Sequence, residues 1–158
     1  MKYAVKLHDY LTSENPVAVQ SVLVAALALV ISSVLLSTLF GLLGSPEVDE
    51  SPPTLVDFVS IVLLAPLFET LVLLLSLELS WLVLRNRLVV TLLVGFGWAA
   101  AHSSVRLTWG VGVVTFFLIA SYLYLYWRGV SRARAVQLLL FPHVLINLAA
   151  CALWWAAD

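Results

Sequence analysis

The sequence predicts an all-α, polytopic transmembrane bundle of about five spans, and three observations carry that expectation. Hydrophobic residues make up 63% of the 158 and charged residues only 11%, whereas an ordinary soluble domain carries roughly a quarter charged residues. Mean hydropathy is +1.07. The apolar residues also gather into runs of about 20, the length at which an α-helix crosses hydrocarbon with every backbone group bonded internally.

The first run, about 17 to 43, follows Asn15-Pro16, an N-cap residue with proline at the first helical position. Residues 1–16 therefore form a separate polar segment, and 17–157 a single membrane domain. That run is too long for the 7- to 15-residue apolar stretch of a signal peptide, so it reads as an uncleaved span. The further runs cover about 54 to 84, 88 to 105, 109 to 127 and 136 to 156.

Charge orients the bundle. Lys2, Lys6, Arg85, Arg87, Arg128, Arg132 and Arg134 fall on one side of a five-span arrangement and only Arg106 on the other, so the amino terminus is expected in the cytoplasm. Glu47, Asp49, Glu50 and Asp158 belong to the outer side. Trp154 and Trp155 are expected at the outer boundary, and Tyr124, Tyr126 and Trp127 at the inner one, as aromatic belts. The net charge of -1 says nothing about nucleic acid and no basic tract or aromatic-basic platform suggests such a partner, while the single Cys151 excludes an internal disulfide or a cysteine-based zinc site.

Glu69, His102, His143 and Asn147 interrupt these apolar runs. A carboxylate at a helix centre costs roughly 2.5 to 3.5 kcal/mol on insertion scales, so its retention points to function. Glu69 lies 17 residues before Asn86 of the Arg85-Asn86-Arg87 turn and His102 lies 16 after it. At about 1.5 Å per residue the two reach the same depth on adjacent helices. His143 and Asn147, spaced i, i+4, share a helix face. Pro66 and Pro142 beside them free the carbonyls of Val62 and Leu138, a defect tolerated at a polar site.

Three patterns here resemble the CPBP family of intramembrane proteases, which includes the type II CAAX prenyl endopeptidases and bacteriocin-processing, Abi-like proteins. Pro66, Leu67, Phe68, Glu69 and Thr70 are similar to its first motif, Pro-x-x-Glu-Glu-x-x-x-Arg, through the first Glu. Trp98 through His102 resemble the second, an aromatic residue followed at the fourth place by His, and His143 through Asn147 the third, His-x-x-x-Asn. The resemblance spans residues 66–147 and departs from the family at Thr70 and Leu74, where a second Glu and an Arg are usual. It implies an intramembrane endopeptidase of a prokaryotic plasma membrane, cleaving a membrane-associated peptide or protein, with Glu69 as the base.

The chemistry of the residues agrees with that implication. A glutamate among Leu and Val is suited to take a proton from water, with His102 sharing the water and His143 and Asn147 donating to the oxyanion. No resident cofactor is expected. Zinc held by Glu69, His102 and His143 is the alternative, although the His-Glu-x-x-His spacing is absent, and haem between the two histidines is another. A non-catalytic scaffold or immunity protein on the same fold is the third reading, kept open by Thr70 and Leu74. Glu78 is expected to pair with Arg85, seven residues on, and Asp57 to meet Arg106 or water.

Overall fold

The computed structural model describes residues 54–105 and 107–157, together with Ile31 and Leu35. The expectations for segment 1–16, the remainder of the first span, the acidic loop before Thr54, Arg106, Asp158 and the side chain of Trp154 fall outside the described residues. Those described form an all-helical structure: α1 (Leu55–Leu84), α2 (Arg87–Val105), α3 (Leu107–Trp127) and α4 (Arg132–Ala157). Among them three helices, Leu55–Leu84, Gly110–Trp127 and Arg132–Ala152, are long and apolar enough to cross a membrane, which makes the chain a multi-pass membrane protein by length and composition.

Four helix ends have a local cause. Thr54 and Asp57 form a reciprocal capping box, Asp57 Oδ2 accepting from Thr54 N at 3.0 Å while Thr54 Oγ1 accepts from Asp57 N at 3.3 Å. Asp57 is exposed, as an acid reaching water would be, and its carboxylate also starts α1, a use its sequence position had not marked. Arg85 ends α1 in the left-handed region at φ 51°, and Asn86 Oδ1 starts α2 by accepting from Val89 N at 3.1 Å. Ser131 does the same for α4 through Arg134 N at 3.3 Å.

Within α1 the segment Ser60–Leu64 is a π-helix, where each carbonyl bonds the N–H five residues on. In that register the donor facing the Ile61 carbonyl would be residue 66, and Pro66 has no N–H. Asn147 Nδ2 of α4 supplies it instead, at 2.8 Å. The carbonyl that gains a partner across the bundle is thus Ile61's, one residue before the one that α-helical spacing singles out.

Packing follows the helical period. Val62, Pro66, Thr70, Leu73 and Leu77 recur every three or four residues as the buried face of α1, while Leu67, Phe68, Leu71, Leu75 and Leu79 on its other faces are more than half exposed. An apolar surface of that extent is what lipid covers. The core joins Leu73 and Leu77 to Val90 and Val94 of α2, Phe116, Phe117 and Leu123 of α3, and Leu138 and Leu139 of α4. The antiparallel α2 and α3 approach closely: a Cβ on Gly95 would meet Leu118 Cδ2 at 2.7 Å, and one on Gly110 would overlap the Ala99 carbonyl and Ser103.

Two aromatic expectations are corrected. Tyr124 and Trp127 are 3% and 1% exposed, so they belong to the core rather than to an interfacial belt. Tyr124 goes inward because its hydroxyl donates to Glu78, and Trp127 because its ring supports Arg134 at 4.4 Å. At the other end Trp155 stacks on Phe58 with ring centroids 5.0 Å apart, tying the end of α4 to the start of α1.

Candidate functional site

Three helices bring Glu69, His102 and His143 together. Glu69 lies on α1 at the edge of its buried stripe, one position before Thr70. Its Oε2 is 3.5 Å from His102 Nε2 of α2 and 3.3 Å from His143 Nε2 of α4. The His143 side chain is 6% exposed, against 22% for His102 and 30% for Glu69, so the carboxylate is the member that reaches outward.

The partners of the other ring nitrogens bear on where the protons sit. His102 Nδ1 lies 3.0 Å from the Trp98 carbonyl, which only accepts, so Nδ1 carries the proton. In the neutral ring Nε2 is then a lone pair directed at a carboxylate, and two acceptors 3.5 Å apart need a proton, or the two O–H groups of a water, between them. His143 differs. Its Nδ1 lies 3.5 Å from Thr70 Oγ1, whose hydroxyl can donate to it, leaving Nε2–H to donate to Glu69.

Aromatic rings hold both imidazoles from α3. The His102 ring is 5.0 Å from Phe117 and 6.1 Å from Trp98, and the His143 ring is 4.9 Å from Phe116. Phe116 and Phe117 are each 1% exposed and Pro142 is fully buried, so the histidines cannot swing without opening the core. Sequence reasoning missed these two phenylalanines, which sit in an apolar helix with nothing to mark them. It also passed over Thr70 as a partner for His143, although its place beside Glu69 was signal enough.

Asn147 is placed differently from the other three. Its amide is directed at the Ile61 carbonyl, so it ties α4 to the π segment that leads into Pro66 and Glu69. Zinc and haem can be tested on the donor set. Among the described residues no three His, Cys, Asp or Glu side chains are arranged to hold a metal ion. Both imidazoles address one oxygen of Glu69, which stands where haem ligation would need the macrocycle.

A second carboxylate, Glu78, lies farther along α1. It accepts from Arg128 Nε at 2.9 Å, from Arg128 NH2 and from the Tyr124 hydroxyl, and Arg128 also lies over Trp81 at 5.2 Å. The expected Glu78–Arg85 pair does not form: the left-handed backbone of Arg85 turns its side chain back, where Nε donates to the Leu82 carbonyl at 3.3 Å. No protein-family model matches the chain, and no curated protein or solved structure matches it either.

Proposed function

We propose that the protein is an intramembrane endopeptidase hydrolysing a peptide bond of a membrane-associated substrate, with Glu69 as the general base. The observation that carries this reading is the meeting of one carboxylate with two imidazole Nε2 atoms inside an otherwise apolar bundle. The resemblance of Pro66–Thr70, Trp98–His102 and His143–Asn147 to the CPBP motifs supports it independently of geometry.

A water donating one O–H to Glu69 and the other to His102 Nε2 satisfies both acceptors. Transfer of the first proton to Glu69 leaves a hydroxide that attacks the peptide carbonyl carbon, forming the C–O bond as the carbonyl becomes an oxyanion. Protonated Glu69 holds the His143 N–H less strongly, which leaves that donor, without moving the ring, to an oxyanion formed beside Glu69. Collapse breaks the C–N bond, and the proton on Glu69 passes to the departing amine. Asn147, expected at the oxyanion from its spacing, serves in this scheme as a positioning residue through Ile61. The scheme routes no step through a metal.

The test uses the full chain reconstituted in vesicles with a panel of membrane peptides, products being identified by mass. Glu69→Gln keeps the shape and removes the base, so cleavage is expected to fall by about 10² to 10⁴. Chelators are expected to leave the wild type unchanged. Cleavage abolished by chelation and restored by zinc would overturn the metal-free scheme.

Five spans with a cytoplasmic amino terminus remain part of the proposal. In a Cys151→Ala background, Gly129→Cys, placed where a Cβ meets nothing within 4 Å, and Ser51→Cys are expected to label from opposite faces. Labelling of both from one face contradicts the topology.

A further inference from the structure

The α1–α2 and α3–α4 turns lie at the same end of the bundle and bring Arg85, Arg87, Arg128, Arg132 and Arg134 there. Among the described residues Glu78 is the one carboxylate near that end, and Arg128 takes it. Arg87 and Arg134 are held in another way. The Arg87 guanidinium lies over Tyr126 at 5.0 Å and over Tyr122 at 5.9 Å, and Arg134 lies over Trp127 at 4.4 Å. The Tyr126 and Trp127 rings touch edge to face at 5.9 Å, so a chain of contacts runs from guanidinium through the two rings to the other guanidinium.

Stacking fixes a guanidinium plane while leaving charge and edge N–H donors for an anion. Arg87 Nε is itself buried without a hydrogen-bond partner, so the donors left to meet an anion are the terminal N–H groups of the fork. Neither guanidinium meets a carboxylate among the described residues, so each keeps its charge for an anion from outside the bundle. At the end of a membrane bundle the anion at hand is a lipid phosphate, since an anionic leaflet draws juxtamembrane arginines. From this geometry we infer that Arg87 and Arg134 form an ordered site for the phosphodiester headgroup of an anionic glycerophospholipid. The inference does not rest on the hydrolytic reading.

The test reconstitutes the full chain in nanodiscs of mixed phosphatidylglycerol and phosphatidylcholine, and native mass spectrometry counts the lipid retained on detergent release. The wild type is expected to prefer phosphatidylglycerol by roughly tenfold, in line with the contribution of juxtamembrane arginines, and Arg87→Gln/Arg134→Gln to lose that preference. Arg87→Lys/Arg134→Lys keeps the charge but not the planar fork, so it separates an ordered site from a diffuse field and stands if the glutamine variant fails to fold. Loss in the lysine pair, with Arg85→Gln unchanged, is the expected result. A preference kept in the lysine pair, or reduced as much by Arg85→Gln, overturns the ordered site.

Discussion

Two carboxylates on α1, Glu69 and Glu78, each meet two side chains from other helices, yet the partners make them different devices. Glu78 faces an arginine, which holds its charge at every accessible pH, and a phenol that donates one hydrogen bond. Every proton there has a fixed owner. Glu69 faces two imidazoles, and with His102 neutral the proton count there is one short of what the acceptors need. The first cluster clamps α1 to α3, while the second is where a proton can be exchanged. In the proposed reading it is the identity of the partner, rather than burial of the acid, that separates structural from chemical use, because both glutamates are about a third exposed.

The sharpest way to break that contrast is to remove the imidazole lone pair. His102→Ala is expected to lower cleavage of a membrane peptide by about 10² to 10³ with little change in melting temperature, as loss of one member of an acid–base pair does. A variant that melts early instead makes His102 a helix tie like Arg128. At the other cluster, Arg128→Met leaves Glu78 with Tyr124 alone and is expected to cost about 2 to 3 kcal/mol in denaturant titration. Arg128→Met with Glu78→Leu is expected to recover most of it, since the pair leaves together.

Asn147→Ala is expected to destabilise by about 1 to 2 kcal/mol, the cost of a buried carbonyl without its donor, and to reduce cleavage through Glu69's position. Restoration by Asn147→Gln, or a loss of cleavage at unchanged stability, points back to a direct role at the oxyanion. The smallest effect is reserved for Thr70→Val. Its contact with His143 is 3.5 Å, at the limit of a hydrogen bond, so cleavage is expected to fall by less than about tenfold.

Much of the helical layout was legible because lipid imposes a length and a polarity on each element that sequence cannot disguise. The polar residues of the site were legible for the same reason, each being an expensive exception in an apolar run. Their partners were not. Spacing along one helix favoured Arg85 for Glu78, but the left-handed turn at Arg85 sends that side chain elsewhere, and Arg128 is 50 residues away in sequence. For Asn147 the i, i+4 spacing reports a face shared with His143 but not the Ile61 carbonyl that one of its amide N–H groups meets. Only the π register of Ser60–Leu64 explains why its amide is needed at Ile61.

The most direct measurement compares Glu69→Gln with Glu78→Gln in one reconstituted preparation, reading cleavage and melting temperature on the same samples. The account predicts that Glu69→Gln melts with the wild type and cleaves about 10² to 10⁴ times more slowly. Glu78→Gln, with Arg128 left without a countercharge, is expected to melt earlier while its folded fraction cleaves at the wild-type rate. Cleavage unaffected by Glu69→Gln, or lost to the same degree in the folded fraction of Glu78→Gln, contradicts it.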